Sequence, residues 1–462
     1  MSIDTQHPQY EHNIDKWKLI DNICEGEDLD QYLVTLNPND KSVENRTRNK
    51  QYRERAIFYQ VAGYTARGLN GLLFAKWPAM EVPPQLEYLQ KNADGAGVSI
   101  YQQAQQTGEA LTKVGRRGLF VSYPETEGAV SRADMDNMRA FATIHSIDAT
   151  QILDWDVVTD GAQVKLGHVV FQETITERNG LEREEFEQLR QLSLEGGVFV
   201  VRKWRKNKEK EWEQHGDDAF PTDGSGANWT EIPFLFAGSE NNSPDVDTPP
   251  MLALAEINKG HFRNSADFED NVWYCGQAQA WMSAVNQNHV DLMKENNMYV
   301  GSREMLAVPT DGAFGYEAAP ENTMVRQAMM DKLEMMIGMG ARFIQPGSAA
   351  KTAYEAGQDA SVQHSVLSLI SVNLSEAYTQ CIKWAAQYMN VAVTDDMAFE
   401  TTMDFVSPTA TAQEIQAMIA GFVQGAVPMS AYFKWLQRHG LEDSEKTIED
   451  FADEVNPVSG GI

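Results

Sequence analysis

Cysteine is scarce in this 462-residue chain: Cys24, Cys275 and Cys381 stand far apart, with no C-x-x-C pair and no neighbouring histidine. Such spacing excludes a disulfide framework and a thiolate zinc site, and predicts free, mostly buried thiols. Positive charge is in short supply too, 38 Lys and Arg against 67 Asp and Glu, for a formal charge of −29. Gripping phosphate takes clustered cations, which excludes a surface that binds nucleic acid throughout; an acidic wall along which DNA slides without sticking stays open. Long apolar runs are missing, since the best of them, around Ile415 to Val427, falls well short of the ~20 residues a membrane span needs. The opening Met1-Ser-Ile-Asp-Thr5 has neither a basic nor an apolar export region. Together these absences predict a chain made in a reducing cytoplasm, with no membrane partner.

Catalytic signatures are lacking as well. There is no G-x-x-x-x-G-K-S/T phosphate loop, and Gly95-Ala-Gly97 is too short to serve as one. No H-E-x-x-H, nucleophile-elbow or kinase pattern occurs. His145, His168, His261 and His364 are scattered, and read as satisfied core or interface residues rather than metal ligands. Asp154 and Asp156 flank Trp155, and strand alternation puts both carboxylates on one wet face. A carboxylate-based hydrolase is the one enzymatic reading such pairs leave open. The pattern predicts a non-enzymatic chain without metal or cofactor, and the absence of a 20–50-residue repeat argues against a solenoid.

What is present suffices for two or three cores. From Glu44 to Phe74, Phe58, Val61, Tyr64 or Thr65, Leu69 and Leu72 recur near helical spacing. Arg46, Arg48, Lys50, Arg53 and Arg55 load the start of that region and read as a solvated face. Helical spacing returns over residues 100–114 and runs into Gly115-Arg-Arg-Gly118 and a short apolar strand that ends at Pro124. Further strands are predicted over residues 151–158, 168–174, 197–204 and 232–237, making the N-terminal half an α+β unit in a chain that is mostly helical.

Pro249-Pro250 preorganises a helix start. The helix that follows, over residues 251–274, aligns Leu254, Ile257, His261, Ser265, Phe268 and Val272, and residues 275–322 break into short mixed pieces. Met324, Met329, Met330, Met335, Met336 and Met339 mark the next helix as flexible core or interface filler. A long helix is predicted over residues 351–390, carrying Leu367, Ile370, Leu374, Tyr378, Cys381, Ala385 and Tyr388 on one stripe. A strand over residues 398–406, helices over 411–424 and 431–438, and an acidic end complete the pattern.

Ile232-Pro-Phe-Leu-Phe236, the segment Pro249–Asn258, the segment His261–Asn271, Met339-Gly-Ala-Arg-Phe-Ile344, Lys351-Thr-Ala-Tyr-Glu-Ala356 and Asn373-Leu-Ser-Glu-Ala377 occur in this order. In order and spacing they resemble a family of tailed-bacteriophage portal proteins catalogued as a domain of unknown function. The resemblance implies a portal-like fold: an N-terminal wing over residues 1–248, stem helices over 249–274 and 322–344, and a clip over 275–321. A tunnel loop and long wing helix would take residues 345–391, a returning wing strand 392–410 and a helical crown 411–462. The tunnel loop would bring Gln345, Pro346, Gly347, Ser348, Ala349, Ala350, Lys351 and Thr352 to DNA. As partners it implies further copies of the chain in a ring, commonly of twelve, double-stranded DNA passing without sequence specificity, a terminase motor, a head–tail adaptor, and capsid and scaffolding proteins. The place it implies is the capsid vertex of a virion assembled in a bacterial cytoplasm. An adaptor or a capsid subunit would share the acidic, site-free character.

Overall fold

A computed structural model describes residues 2–124, 140–180, 182–207, 209–276, 279–295, 308, 310–317, 323–342, 366–402, 427–438 and 447–448. Helices and strands are mixed throughout. Helix α1 (Pro8–Glu25) starts on His7, whose Nδ1 accepts from the Gln9 amide at 3.2 Å, and stops at Gly26 in the left-handed region (φ 79°). Its buried face holds Tyr10, Trp17, Ile20 and Cys24. Periodicity predicts no element this early, because Asn13 interrupts the apolar stripe and charged residues crowd around it.

Two helices, α2 (Val43–Arg55) and α3 (Val61–Leu73), replace the single helical region expected over residues 44–74. The break is tertiary in origin. Asn258, fully buried, accepts from the Ala62 amide and donates to the Tyr59 carbonyl, both at 2.9 Å. Ser265 Oγ accepts from the Ile57 amide at 3.2 Å. These bonds satisfy backbone groups that a continuous helix would have used. Gly63 lets α3 cross the end of α1 backbone to backbone, since a Cβ there would sit 2.1 Å from the Cys24 carbonyl oxygen.

Strand β1 (Ala79–Glu81) pairs antiparallel with β12 (Ala398–Glu400), joining distant parts of the chain. Helix α4 (Ile100–Val114) carries a reciprocal cap between Ser99 and Gln102, an arrangement that satisfies two orphan amides. It leads through Gly115 into β2 (Arg116–Ser122), the centre of an antiparallel sheet ordered β3 (Thr143–Asp148), β2, β9 (Phe234–Gly238). A second sheet is a meander of β4 (Ile152–Asp160), β5 (Gln163–Asn179), β6 (Glu182–Glu195), β7 (Val198–Lys206) and β8 (Trp212–Gln214). Observed strands thus overlap every one expected in the N-terminal half. β1, β3, β6 and β8 are additional, and the outer half of β6 is too charged on both faces to show a period of two.

Helix α5 (Leu252–Cys275) is followed by β10 (Gln279–Met282), α6 (Gln287–Glu295), β11 (Phe314–Glu317) and α7 (Thr323–Arg342). Helix α8 (Val366–Tyr388) buries all seven residues of the predicted stripe. Inside the core its Tyr378 hydroxyl meets Thr107 Oγ1 at 2.9 Å. One cluster joins α1, α3, α4 and α8 to both larger sheets through side chains such as Trp17, Leu111, Val121, Phe171 and Leu374, each fully buried side chain of this kind contributing ~1.5–3 kcal/mol. The thiols of Cys24 and Cys381 are free and buried, and burial pushes the Cys24 thiol up to about 12. Residues 351–365 of the expected long helix and 403–406 of the expected strand lie outside the described residues, as does the helix expected over 411–424. Helix α9 (Met429–Arg438) matches the one expected over 431–438.

Candidate functional site

The feature that extends from this body is a helical hairpin. Strands β10 and β11 pair antiparallel, Gln279 opposite Glu317, so α5 and α7 reach the insert side by side. Further back, Lys332 Nζ donates to Asn264 Oδ1 at 3.3 Å. The two helices are therefore antiparallel, with the insert at one end and the body at the other. At the body end α5 buries Leu254, Ala255, Asn258, His261, Phe262, Ser265 and Ala266. The buried face thus follows the predicted stripe from Leu254 to Ser265, but Val272 near the insert is half exposed.

The basic run on α2 turns out to be divided. Arg48 grips both carboxylate oxygens of Asp270, Arg55 approaches the same group at 3.3 Å, and Tyr52 donates to Asp267 at 2.7 Å. The two guanidiniums also lie over rings, Arg55 4.0 Å from the Trp273 centroid and Arg48 4.8 Å from that of Tyr274. Spaced seven apart, these arginines share one helix face and clasp the hairpin rather than water, which corrects the solvated-face expectation for them; Arg46 and Lys50 remain exposed. Asp270→Asn should lower unfolding free energy by about 2 kcal/mol by leaving two half-buried guanidiniums without a counter-charge. Urea titration checks this, and an unchanged midpoint would show the clasp to be ornamental.

On α7 the methionines separate by role. Met336 is buried, whereas Met330 is 50%, Ile337 63%, Met324 78% and Met335 57% exposed. At about 100° per residue, Met330 and Ile337 fall on one line along the helix. Met324 and Met335 share a second line roughly 120–140° further round. Gln327, Asp331 and Glu334 occupy the arc between. The outer side of the hairpin therefore has a polar middle and two apolar flanks. The insert continues this pattern: among its described residues none is buried, and Trp281, Leu292 and Tyr316 are exposed.

No such convergence occurs around the other groups singled out in the sequence. Asp154 is half-buried with Oδ2 4.0 Å from His168 Nε2, while Asp156 is exposed. His168 hydrogen-bonds Ser193 Oγ at 3.1 Å, and burial lowers its pKa. His145 bonds Ser122 and Thr143, and His364 lies outside the described residues. Arg116, from Gly115-Arg-Arg-Gly118, is buried between the rings of Trp155 and Phe236 at 4.4 and 3.8 Å, and burial pushes its pKa down to about 9. Among the described residues no three His, Cys, Asp or Glu side chains come together in a metal-holding group, and no described helix is long and apolar enough to cross a membrane. All of Gln345, Pro346, Gly347, Ser348, Ala349, Ala350, Lys351 and Thr352 lie outside the described residues, between α7 and α8. Periodicity missed the Asp270 clasp; the seven-residue spacing of Arg48 and Arg55 was its only local signal.

The family described as Domain of unknown function (DUF4055) matches residues 250–389, from the start of α5 to the end of α8. No characterised protein sequence matches the chain. Among solved structures, a chain from the virion of a native gene transfer agent (GTA) particle is 14% identical with a TM-score of 0.41, over 82% of this chain and 90% of that one. A chain from the neck of the native GTA particle with C12 symmetry is 13% identical with a TM-score of 0.40, over 79% and 86%. One from the neck of the empty particle with C6 symmetry is 13% identical with a TM-score of 0.41, over 83% and 90%.

Proposed function

We propose that this chain is a non-catalytic portal subunit of a phage-type virion. Its copies would form a ring at a capsid vertex through which double-stranded DNA is packaged and ejected. The observation that carries the reading is the α5–α7 hairpin, with apolar side chains on two flanks and polar ones between. In a ring every subunit has two neighbours, one on each side, and the contact is heterologous. A projecting hairpin with two separated apolar flanks suits that arrangement better than a twofold dimer, which needs only one self-complementary patch.

On this reading residues 1–248 form the wing, the hairpin is the stem, and the insert is the clip that meets a terminase motor and later a head–tail adaptor. The net charge of −29 would keep DNA from adhering to the channel. Residues 345–352 would form the loop that faces DNA. Deleting Pro346 to Ala350 is expected to leave ring assembly intact while lowering the amount of DNA packaged or retained per particle, measured by nuclease protection. Undiminished packaging would place the channel elsewhere.

A further inference from the structure

The β5–β6 hairpin runs out past its sheet. β4 pairs with β5 only as far as Phe171, and β7 with β6 only as far as Gln188, whereas β5 and β6 stay paired from Thr174 opposite Glu187 out to Asn179 opposite Glu182. Among the described residues this outer ribbon has no partner strand on either edge, and a lone two-stranded ribbon is marginal in water. Alternation sorts its side chains into two faces. On one face Ile175 stands opposite Phe186 and Glu177 opposite Glu184; on the other Thr176 stands opposite Glu185 and Arg178 opposite Arg183.

Adjacent rungs of one ladder thus carry a carboxylate pair on one face and a guanidinium pair on the other, all four groups exposed. Like charges directly opposite each other weaken a ribbon. Relief within the chain is partial: Arg205 donates to Glu177 at 2.8 Å, and Arg183 Nε lies 3.9 Å from Glu185. Among the described residues Glu184 and Arg178 have no ion-pair partner.

We propose that the ribbon is a second contact between copies of this chain, with the Glu177–Glu184 face of one copy seated on the Arg178–Arg183 face of the next. This rests on the ring reading above. The Glu177–Glu184 pair and the Arg178–Arg183 pair are equal in number and opposite in sign, and they sit on adjacent rungs of the ribbon, so a copy displaced sideways presents the complementary pair. Groups that repel within one chain then meet opposite charges between chains. The contact is heterologous, since each ribbon gives one face and receives the other, and it can repeat around a closed ring.

Two charge-reversed chains test it. E177R/E184R makes both faces basic, and R178E/R183E makes both acidic. Each alone should need about tenfold or more protein than wild type to assemble at low salt, read by sedimentation velocity. An equimolar mixture should recover assembly into particles containing both chains. Circular dichroism and melting temperature verify folding. E184R alone, which spares the Glu177–Arg205 bond, replaces the first variant if that one is unstable. Variants that assemble like wild type, or a mixture that recovers nothing, would overturn the ribbon contact while leaving the ring. A wild-type chain that forms no closed assembly would remove the ring reading, and this contact with it.

Discussion

Chains carrying Met330→Asp and Ile337→Asp together are expected to stay folded as monomers and to need about a hundredfold or more protein to assemble. Both residues are at least half exposed in the single chain, and exposed substitutions usually shift stability by no more than about 0.5 kcal/mol. In an assembly the same positions would lie in the contact. Two carboxylates would then be carried into an apolar seam without partners, and each should cost at least about 1.4 kcal/mol of association. The other flank makes the test sharper. Met324→Asp with Met335→Asp should be equally damaging, because a ring uses both flanks of every hairpin. Mixing the two variants leaves one competent seam per pair, and should give heterodimers that do not grow. Melting temperature and native mass spectrometry report on both halves of this expectation. Assembly that survives either variant would show that the exposed methionines do not face a neighbour.

Acidification from about pH 7 to about pH 4.5 is expected to cost the fold about 2 to 3 kcal/mol through His145 alone. Its Nε2 lies 2.8 Å from Ser122 Oγ and 3.0 Å from Thr143 Oγ1, and the ring stacks near Phe120. Burial first, and then the charge of Arg190, push its pKa down to about 4. A histidine depressed in this way contributes stability that is fully present above its ordinary value near 6.5 and is lost as pH falls towards 4. Burial also lowers the pKa of His7, His168 and His261, so these act with the same sign. Urea unfolding of wild type and His145→Gln at both pH values checks the assignment. The variant should show a visibly smaller drop, and an equal drop in both proteins would mean that His145 is not the group responsible.

The sequence made some parts of the fold plain and hid others for identifiable reasons. The stripe on α8 was readable because every one of its residues is buried against a single core. The hairpin and its insert were readable because glycines and prolines punctuate the segment between two periodic runs. The break between α2 and α3 was not, since Asn258 and Ser265 impose it from about two hundred residues away. β6 was hidden by Glu182, Arg183, Glu184, Glu185 and Glu187, which are charged on both faces because that part of the ribbon has no sheet beside it. At the candidate site the methionine run reads from the sequence as core or interface filler, and in the structure Met336 is core while Met324, Met330 and Met335 are exposed. The division of Met324, Met330, Met335 and Ile337 into two flanks was already present in their spacing, but only the position of α5 shows which side of α7 is outward.

The most direct measurement is electron microscopy of the purified full-length chain at assembling concentrations. Closed rings with a central hole and a protruding stalk are expected, with the α5–α7 hairpins in the stalk. Monomers at every concentration would contradict ring formation, and rings without a stalk would point instead to an adaptor or a capsid subunit.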